Sequence, residues 1–436
     1  MDDQRLTINK KAFALSLCSV VFAVVYNFSM WHVSNLEHVE SFVFDFEKHI
    51  PFLSWSIIPY MTSGVFLCLI FFLCKTRAQL QILTKRMLFI TILAGLFFVL
   101  FPLKFLLPKP DVGDSFLNFN YYLLELFDSP FNQSPSLHIA YAYVFWTIFR
   151  TLKNGWRSVL MICLLLLGIS TLTTYQHHFL DILTGSVLAH LSFIIFPENK
   201  NDSEFRNFHI ANFYFLFGWI LVTVSLLLNQ FYGAFWLILI WPAIVMFIVG
   251  YHYQKNNIYF LKDKSGQIAF YKKLFYFPYI FIYRILWIYL RKNQIPLEIL
   301  PQVFTSSRLS NSDLKNFPVD RHTFVYDLSA EIEEHTKIRD ETIYFCVPYL
   351  DIASFDLKET ENLITKIAQN HKQLPDGGKI LIHCTMGYSR SSVIGILVMK
   401  KILSLPIDQA ITKTKSVNED IVIHTYVIDF LKKLNI

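Results

Sequence analysis

The chain has 436 residues, of which 54% are hydrophobic and only 17% are charged, and 43 are phenylalanines. This composition excludes an ordinary soluble protein and predicts that most of the chain lies in a membrane. The net charge is +6, and the basic residues that cause it lie in short loops and beside apolar runs. It therefore predicts membrane lipids as partners and no nucleic-acid surface.

Eight apolar runs precede residue 253, and most have the length that a helix needs to cross a bilayer. The first run is followed by further runs and by no small-residue cleavage site, so we expect a retained anchor. Residues 1–252 are thus a predicted membrane domain of about eight helices. The runs are 12–33, 51–74, 87–107, 137–152, 157–175, 178–196, 209–228 and 231–252.

Basic residues predict the orientation, because loops rich in Lys and Arg stay in the cytoplasm. Basic ends alternate with acidic loops, so we expect the chain to return to the cytoplasm near residue 253. The basic ends carry Arg5, Lys10, Lys11, Lys75, Arg77, Lys85, Arg86, Arg150, Lys153 and Arg157. The acidic loops carry Glu37, Glu40, Asp45, Glu47, Asp111, Asp114, Glu125 and Asp128.

Two polar clusters open predicted spans on the side assigned to the exterior. Pro135-Ser136-Leu137-His138 opens the fourth span, and His177-His178-Phe179-Leu180-Asp181 opens the sixth. His177 and Asp181 lie one helical turn apart, so the carboxylate can hold the imidazole in one tautomer and make it a nucleophile. Satisfied polar helix ends are the alternative, but three such groups at one membrane depth are costly. We therefore expect a reactive site there.

These clusters resemble the phosphatidic acid phosphatase type 2 superfamily over roughly residues 85–196. Its second signature is Pro-Ser-x-His, and its third ends His-x-x-x-Asp. The resemblance implies a six-helix core, here with two further spans. It also implies that His177 attacks phosphorus, Asp181 orients His177 and His138 protonates the leaving group. Ser136 and Lys109 are the expected phosphate-binding residues.

Two positions depart from that family. Ser170-Thr171 stands where Ser-Arg is usual, and only Lys109-Pro110, with Lys104 nearby, remains of the first signature. The pattern Ser170-Thr171, Gln176-His177-His178 and Asp181 looks closer to the branch that contains sphingomyelin synthases, which transfer phospho-alcohol head groups. Because a diester needs fewer cations than a monoester, a lipid phosphatase and a lipid phosphotransferase or phosphodiesterase both stay open.

Residues 253–299 are a predicted basic and aromatic linker. The segment from Leu274 to Leu290 is apolar but contains Pro278 and Arg284. We expect it to lie in the membrane interface, because a ninth span would bury the arginine and place the tail outside. Its flanking cations are Lys272, Lys273, Arg291 and Lys292.

The tail, residues 300–436, alternates between strand and helix patterns, which predicts a compact α/β domain. Pro375-Asp376-Gly377-Gly378 is a predicted turn before the central strand. The predicted strands are Thr323–Leu328, Thr342–Val347 and Lys379–His383. The predicted helices are Glu359–Asn370, Ser391–Leu403, Ile407–Lys415 and Asn418–Leu434.

The most informative motif of the tail is His383-Cys384-Thr385-Met386-Gly387-Tyr388-Ser389-Arg390-Ser391, between an apolar strand and an apolar helix. Five residues separate Cys384 from Arg390. Such a loop can turn its N–H groups and the helix N-terminus towards one phosphate while the guanidinium holds two oxygens. The same field favours the thiolate of Cys384, which is the nucleophile.

This motif resembles the protein-tyrosine phosphatase superfamily and most of all its dual-specificity branch. The resemblance implies an acid on an upstream loop, for which Asp351 is the candidate and Asp356 the reserve. It also implies that Ser391 helps the thiolate leave and that no metal or cofactor is required. The loop residues expected to bind phosphate are Thr385, Met386, Gly387, Tyr388 and Ser389.

The order of the two domains resembles a family of bacterial fusion proteins. It implies an integral protein of the bacterial inner membrane, with Cys384 in the cytoplasm and His177 on the periplasmic face. The oligomeric state stays open.

The sequence leaves the substrate of Cys384 open. No lysine or second arginine lies between Cys384 and Arg390, which favours a phosphotyrosine or phosphoserine/threonine protein. A tether at an anionic leaflet favours instead a glycerophospholipid monoester such as phosphatidylglycerophosphate. A module that binds phosphate without turnover is a further alternative, and the presence of both Cys384 and Arg390 argues against it.

Overall fold

The computed structural model describes residues 6–128, 130–153, 155–198, 203–291 and 295–434, without the side chains of Phe127, Ser203, Glu204 and Phe205. The chain forms two compact units. The first comprises residues 1–198 and 215–243, and the second comprises residues 199–214 and 244–436. The first is helical and the second contains a five-stranded sheet. The predicted fold class, membrane helices followed by an α/β domain, is confirmed.

Apolar helices dominate the chain up to residue 254. Among the described residues, six helical segments are long and apolar enough to cross a membrane, as an integral membrane protein requires. These segments are Ile8–Ser34, Ser54–Leu73, Arg77–Leu100, Trp156–Thr173, Arg206–Tyr232 and Ala234–Gln254. The helices are α1 (Ile8–Ser34), α2 (Ile57–Leu73), α3 (Arg77–Leu100), α4 (Ser115–Phe127), α5 (Leu137–Phe149), α6 (Trp156–Thr173), α7 (Phe179–Ile195), α8 (Ser203–Tyr232) and α9 (Ile240–Gln254).

Two of the eight predicted spans are shorter than the other six. Helix α5 has 13 residues and α7 has 17. At a rise of 1.5 Å per residue they cover about 20 and 26 Å, against about 30 Å for a hydrocarbon core. Helix α5 starts at Leu137, as predicted, but ends early at Phe149, and α7 runs from Phe179 to Ile195, close to its predicted run. The predicted run 87–107 is also displaced, since α3 begins at Arg77 and ends at Leu100.

Arg86 is a buried residue of α3 and not a loop cation as predicted. Only 1% of its surface is exposed, and Nη1 lies 3.2 Å from Oε1 of Glu198. Its Nε and Nη2 donate to the carbonyl oxygen of Phe196 at 3.1 and 2.9 Å. An arginine can be buried when carboxylate and carbonyl partners offset its lost hydration. Arg86 therefore contributes to packing, and it does not count as a loop cation that indicates the orientation of the chain in the membrane.

The first turns of α5 and α7 are in direct contact. The backbone N–H of Ser136 donates to the carbonyl oxygen of Asp181 at 3.0 Å. A Cβ atom on Gly185 would lie only 2.6 Å from the carbonyl oxygen of Ser136. Glycine at this position therefore permits the approach that brings the two polar clusters together.

In the second unit, the sheet has the order β1-β2-β5-β3-β4, and only the β1–β2 pair is antiparallel. The strands are β1 (Leu297–Leu300), β2 (Val303–Ser307), β3 (Thr323–Ser329), β4 (Ile343–Tyr349) and β5 (Lys379–Cys384). The remaining helices are α10 (Phe270–Phe275), α11 (Phe277–Leu290), α12 (Asp313–Asn316), α13 (Thr336–Glu341), α14 (Leu357–Lys372), α15 (Arg390–Leu403), α16 (Ile407–Val417) and α17 (Thr425–Lys433).

Strand β5 is the centre of the sheet, as its continuous apolar sequence predicts. Ile380 and Ile382 pack into the core that contains α14, α15 and α17, whereas Leu381 packs on the opposite face beside α12 and α13. The first ten residues of α15 are all buried. The sheet therefore holds the end of β5 and the start of α15 firmly on both sides of the loop between them.

One predicted element of the tail is wrong, and four were missed. The predicted helix Asn418–Leu434 starts only at Thr425, because the backbone N–H of Val422 donates to the carbonyl oxygen of Tyr388 at 3.1 Å. Residues 418–424 thus border the phosphate loop. Strands β1 and β2 and helices α12 and α13 were not predicted, since they are short.

Candidate active sites

The motif from His383 to Ser391 forms a loop around the sulfur of Cys384. The N–H of Gly387 donates to Sγ at 3.3 Å, and the hydroxyl of Ser391 lies 3.4 Å from the same atom. Gly387 has a φ of +85°, a conformation that a side chain would disfavour. The loop thus has the form that the sequence predicts, with donors around the sulfur at the end of β5 and the start of α15.

Arg390 is buried and held by two carboxylates. Its Nη1 donates to both oxygens of Glu331 at 2.9 and 3.0 Å and to the carbonyl oxygen of Tyr349 at 2.8 Å. Its Nη2 lies 3.2 Å from Oδ1 of Asp351. Burial alone would lower the pKa of Arg390, but the charges of Glu331 and Asp351 raise it. The guanidinium therefore stays charged and fixed in direction.

Glu331 also supports the loop from behind, a role that sequence reasoning missed. The hydroxyl of Thr385 donates to Oε2 of Glu331 at 2.5 Å and lies 2.8 Å from Oγ of Ser329. Thr385 is thus turned towards the protein interior, so only its backbone can bind phosphate. Glu331 lies just beyond the end of β3, and only the parallel pairing of β3 with β5 reveals its proximity to Arg390.

A buried charge cluster lies beneath the loop. His383 and Asp327 are paired residues of β5 and β3, and Nε2 of His383 lies 2.9 Å from Oε2 of Glu334. Lys262, which comes from the predicted linker, pairs with Asp327 and donates to the carbonyl oxygen of Ser329 at 2.8 Å. All four charged side chains are almost fully buried.

The cluster has the composition of a metal site but holds its own cations. Asp327, Glu334 and His383 are close enough to share one ion. However, the ammonium of Lys262 lies on Asp327, and Nε of Arg308 lies 3.7 Å from Glu334. Burial would lower the pKa of His383, but the carboxylates of Glu334 and Asp327 raise it. The two carboxylates thus already have cationic partners, so we assign the cluster to support of the loop.

Asp351, the candidate acid, follows β4 and faces Arg390. The next residue, Ile352, has a φ of +55°, a strained conformation for a β-branched side chain. Two residues at the start of α8 hold this segment. Nε of Arg206 donates to the carbonyl oxygen of Ile352 at 2.9 Å, and Oδ1 of Asn207 accepts from N–H and Oγ of Ser354 at 2.8 and 2.9 Å.

The reserve candidate Asp356 has a structural role. Its Oδ1 accepts the backbone N–H of Glu359 at 2.8 Å, which caps α14. Between the two acids, only Asp351 lines the cavity of about 290 Å³ above Cys384. Its other lining residues are Ile352, Met386, Tyr388, Ser389, Arg390, Val422 and His424.

The first unit contains the second candidate site, where the predicted histidines meet. Nδ1 of His177 lies 3.3 Å from Oδ2 of Asp181, and Nε2 of His177 lies 3.4 Å from Nδ1 of His138. Asp181 also accepts the backbone N–H of His178 at 2.8 Å, so it joins the start of α7 to the pair of His177 and His138.

Two carboxylates that we assigned to exterior loops belong to this site. Glu47 is 2% exposed and lies 3.0 Å from Nδ1 of His178. Asp128 accepts from the hydroxyl of Tyr60 at 2.9 Å, and this hydroxyl lies 3.4 Å from Nδ1 of His138. A count of loop charges could not find these roles, because both partners are more than 60 residues away along the chain.

The expected phosphate ligands of this site are incomplete. Ser136 is buried at the start of α5, and Lys109 is exposed in the segment before α4, within range of the charges of Glu125 and Asp128. Thr171 occupies the position of the usual arginine, and its backbone carbonyl oxygen accepts the N–H of His177 at 3.0 Å. A cavity of about 250 Å³ adjoins His138 and His177, and its described lining includes Asp128 but neither Lys nor Arg.

Comparison with known protein families gives a match within the first unit. Residues 46–195 match the family model of the PAP2 superfamily. The membrane unit is therefore similar to the PAP2 superfamily over these residues. The match begins well before the predicted residue 85 and so includes Glu47, and it also covers Asp128 and the three predicted reactive residues of the second site. No match to a curated protein was found.

The chain is also similar to solved phosphatase structures. Tk-PTP in its active form is 19% identical, with a TM-score of 0.28 over 32% of this chain and 95% of that one. The human tyrosine phosphatase-like serine/threonine/tyrosine-interacting protein is 17% identical, with a TM-score of 0.27 over 32% of this chain and 93% of its own. A leucine rich repeat and phosphatase domain containing protein from Entamoeba histolytica is 19% identical, with a TM-score of 0.25 over 32% and 90%. The α/β fold of the second unit is defined by its strand order, β1-β2-β5-β3-β4.

Proposed function

We propose that this membrane protein is a phosphatase that hydrolyses phosphomonoesters through a phosphocysteine at Cys384. The main support is the arrangement above β5. The sulfur of Cys384 has the N–H of Gly387 at 3.3 Å, and Arg390 lies in the same cavity with Asp351 at 3.2 Å from its guanidinium. A nucleophile, a phosphate clamp and an acid thus share one pocket.

In the proposed reaction, the thiolate of Cys384 attacks phosphorus and the bond from phosphorus to the leaving oxygen breaks. Protonated Asp351 gives its proton to that oxygen, so an alcohol departs. Water then attacks the phosphocysteine and gives a proton to the carboxylate of Asp351. The sulfur–phosphorus bond breaks, orthophosphate leaves, and the hydroxyl of Ser391 donates a hydrogen bond to the released thiolate.

The class of substrate has two candidates at this stage. The lack of a cation between Cys384 and Arg390 favours a phosphoprotein. The covalent tether of the domain to a membrane anchor favours a glycerophospholipid monoester. Both contain the phosphomonoester that the loop can hold.

The test uses the full-length protein in lipid nanodiscs with an aryl phosphate. Cys384→Ser should abolish orthophosphate release and should also prevent labelling of the protein by a radioactive phosphomonoester. Cys346→Ser is the matched control, because burial raises the pKa of Cys346 to about 11 and leaves it an inert thiol. Activity that survives in Cys384→Ser would contradict the proposal.

We propose a second reaction at His177, on a lipid phosphate. The support is the position of His177 between Asp181 and His138 beside a cavity of about 250 Å³. Since the described lining of that cavity carries Asp128 and no cation, a phosphodiester with one negative charge suits it better than a monoester dianion. We therefore favour transfer or hydrolysis of a lipid phosphodiester over simple monoester hydrolysis.

This second reaction is tested in membranes with head-group-labelled phospholipids. His177→Ala should abolish release or transfer of the labelled head group, while the exposed His49→Ala serves as the matched control. Aryl phosphate turnover by Cys384 should persist in His177→Ala, because the two nucleophiles are separate. Loss of both reactions at equal protein level would contradict independent sites.

The charge pattern of the loops supports a cytoplasmic Cys384 site and a His177 site on the exterior face of a bacterial inner membrane. The test places single cysteines in two loops of a chain in which the exposed Cys68 is replaced. Lys153→Cys should react with an impermeant maleimide only from the inside, and Gly113→Cys only from the outside.

A further inference from the structure

We infer that the substrate of the Cys384 site is a membrane lipid whose head group carries a terminal phosphomonoester beyond a second phosphate, and that Arg206 binds this second phosphate. The inference rests on the proposed function of Cys384 and decides between its two classes of substrate. It depends on two helices whose ends contact the rim of the cavity.

The first of these helices is α8. Arg206 is the first residue of the apolar segment Arg206–Tyr232, which is long enough to cross a membrane. Its Nε donates to the carbonyl oxygen of Ile352 at 2.9 Å, and Ile352 lines the cavity above Cys384. A residue at the end of a membrane span lies at the level of lipid head groups. The rim of the cavity therefore reaches that level.

Arg206 supplies the cation that the phosphate loop lacks. Its guanidinium lies 4.6 Å over the ring of Tyr426. Burial raises the pKa of Tyr426 to about 12, and the nearby charges of Arg206 and Arg390 both act to lower it. Arg206 is also linked to the cavity that contains Arg390, because its partner Ile352 lines that cavity. Arg390 is occupied by the monoester, so an adjacent phosphate would meet Arg206.

The second helix is α11, and it contacts the loop itself. The hydroxyl of Tyr388 donates to the carbonyl oxygen of Leu290, the last residue of α11, at 2.8 Å. One face of α11 is buried, but Phe277, Phe281 and Ile288 are about half exposed. Lys272 and Lys273 lie in the preceding helix α10. An apolar face beside cations is what an anionic lipid surface covers.

These observations weigh against a phosphoprotein. A protein substrate would have to bring an extended segment to the ends of two apolar helices, where lipid occupies the surface. A lipid head group is already there at high local concentration. Arg206, which contacts the rim residue Ile352, suits one further phosphodiester, and in such a lipid that group lies beyond the terminal monoester.

The experiment uses the full-length protein in phosphatidylcholine nanodiscs and measures orthophosphate release. The substrates are phosphatidylglycerophosphate, which has two phosphates, phosphatidic acid, which has one, and a tyrosine-phosphorylated peptide. We expect kcat/KM for the first to exceed that for each of the others at least tenfold, because a hydrogen bond between charged groups contributes about this factor or more.

Two variants of Arg206 separate charge from loop support. Arg206→Gln keeps a donor for the carbonyl oxygen of Ile352 but loses the charge, and should lower the preference for the two-phosphate lipid about tenfold or more. Arg206→Lys keeps the charge and should retain most of that preference. Lys413→Gln, an exposed lysine of α16, is the matched control for the loss of one positive charge.

Three results would overturn the inference. The first is turnover of the peptide but not of the lipids, with Cys384→Ser inactive, which would leave the phosphocysteine mechanism intact. The second is lipid turnover that persists in Cys384→Ser and disappears in His177→Ala. The third is an equal loss on all substrates in both Arg206 variants. Failure of the proposed function itself would appear as aryl phosphate turnover that does not depend on Cys384.

Discussion

Replacement of Lys262 by methionine should destabilise the phosphatase site from a position outside the signature motif. The ammonium of Lys262 pairs with Asp327 and donates to the carbonyl oxygen of Ser329 at 2.8 Å, and neither charged side chain is exposed. Lys262→Met keeps the length of the side chain and removes the charge. It therefore leaves a buried carboxylate without its cation.

The magnitude follows from what Asp327 retains. Removal of one partner from a buried ion pair costs about 3–5 kcal/mol. Asp327 keeps the hydroxyl of Tyr344 at 2.6 Å and the N–H of Ser329 at 2.8 Å, so we expect the lower end of that range. For a domain of this size, about 3 kcal/mol corresponds to a fall in the unfolding midpoint of about 6–12 °C.

The assay is aryl phosphatase activity of the full-length protein after brief heating over a temperature series. Lys264→Met, an exposed lysine two residues further on, is the matched control and should behave as the wild type. Lys262→Met/Asp327→Asn should recover part of the loss, because the second change removes the unpaired charge. A Lys262→Met protein with the wild-type midpoint, or a double variant no better than the single one, would refute this reasoning.

Two further predictions concern charge at the same site. The pKa of His383 is raised by Glu334 and Asp327, so its protonated form stabilises the fold at pH below the ordinary value of about 6.5, and this contribution is lost as the pH rises through the folded pKa. The heating midpoint should therefore fall as the pH rises above about 6.5, and Glu334→Gln should flatten that fall; an unchanged slope would contradict the assignment. Asp351→Asn should reduce turnover of an alkyl phosphate by about 10²–10⁴ and of a nitrophenyl phosphate far less, whereas Asp356→Asn should reduce stability and spare this difference. Equal losses on both esters in Asp351→Asn would mean that Asp351 is not the acid.

The parts of the site that the sequence predicts are those that are close together along the chain. Cys384, Gly387 and Arg390 lie on one loop, so their spacing alone defines a phosphate cradle. His177 and Asp181 lie on one helical turn, and their proximity follows from the same kind of local geometry. The helices α14, α15 and α16 were predicted to within a few residues because each carries its own apolar periodicity.

The parts that were missed depend on pairings across long separations. Glu331 reaches Arg390 only because β3 lies beside β5, and Lys262 reaches Asp327 across 65 residues. Glu47 and Asp128 have the sequence context of loop charges, and only the packing of the first unit brings them to the histidines. The segment before Thr425 has helical residues, but its hydrogen bond to Tyr388 keeps it out of the helix.

The contacts of Arg206, Asn207 and Lys262 bear on how the phosphatase unit could be separated from the rest of the chain. A gene cut at residue 300 would keep the whole signature motif, yet it would discard the side chains that hold the strained acid segment and neutralise Asp327. The unit is discontinuous, so no single cut isolates it. A soluble version would need residues 203–214 joined to residues 244–436 by a designed connection. A gene fusion that transferred only residues 300–436 would therefore lack Arg206, Asn207 and Lys262, which hold the segment after β4 and pair with Asp327.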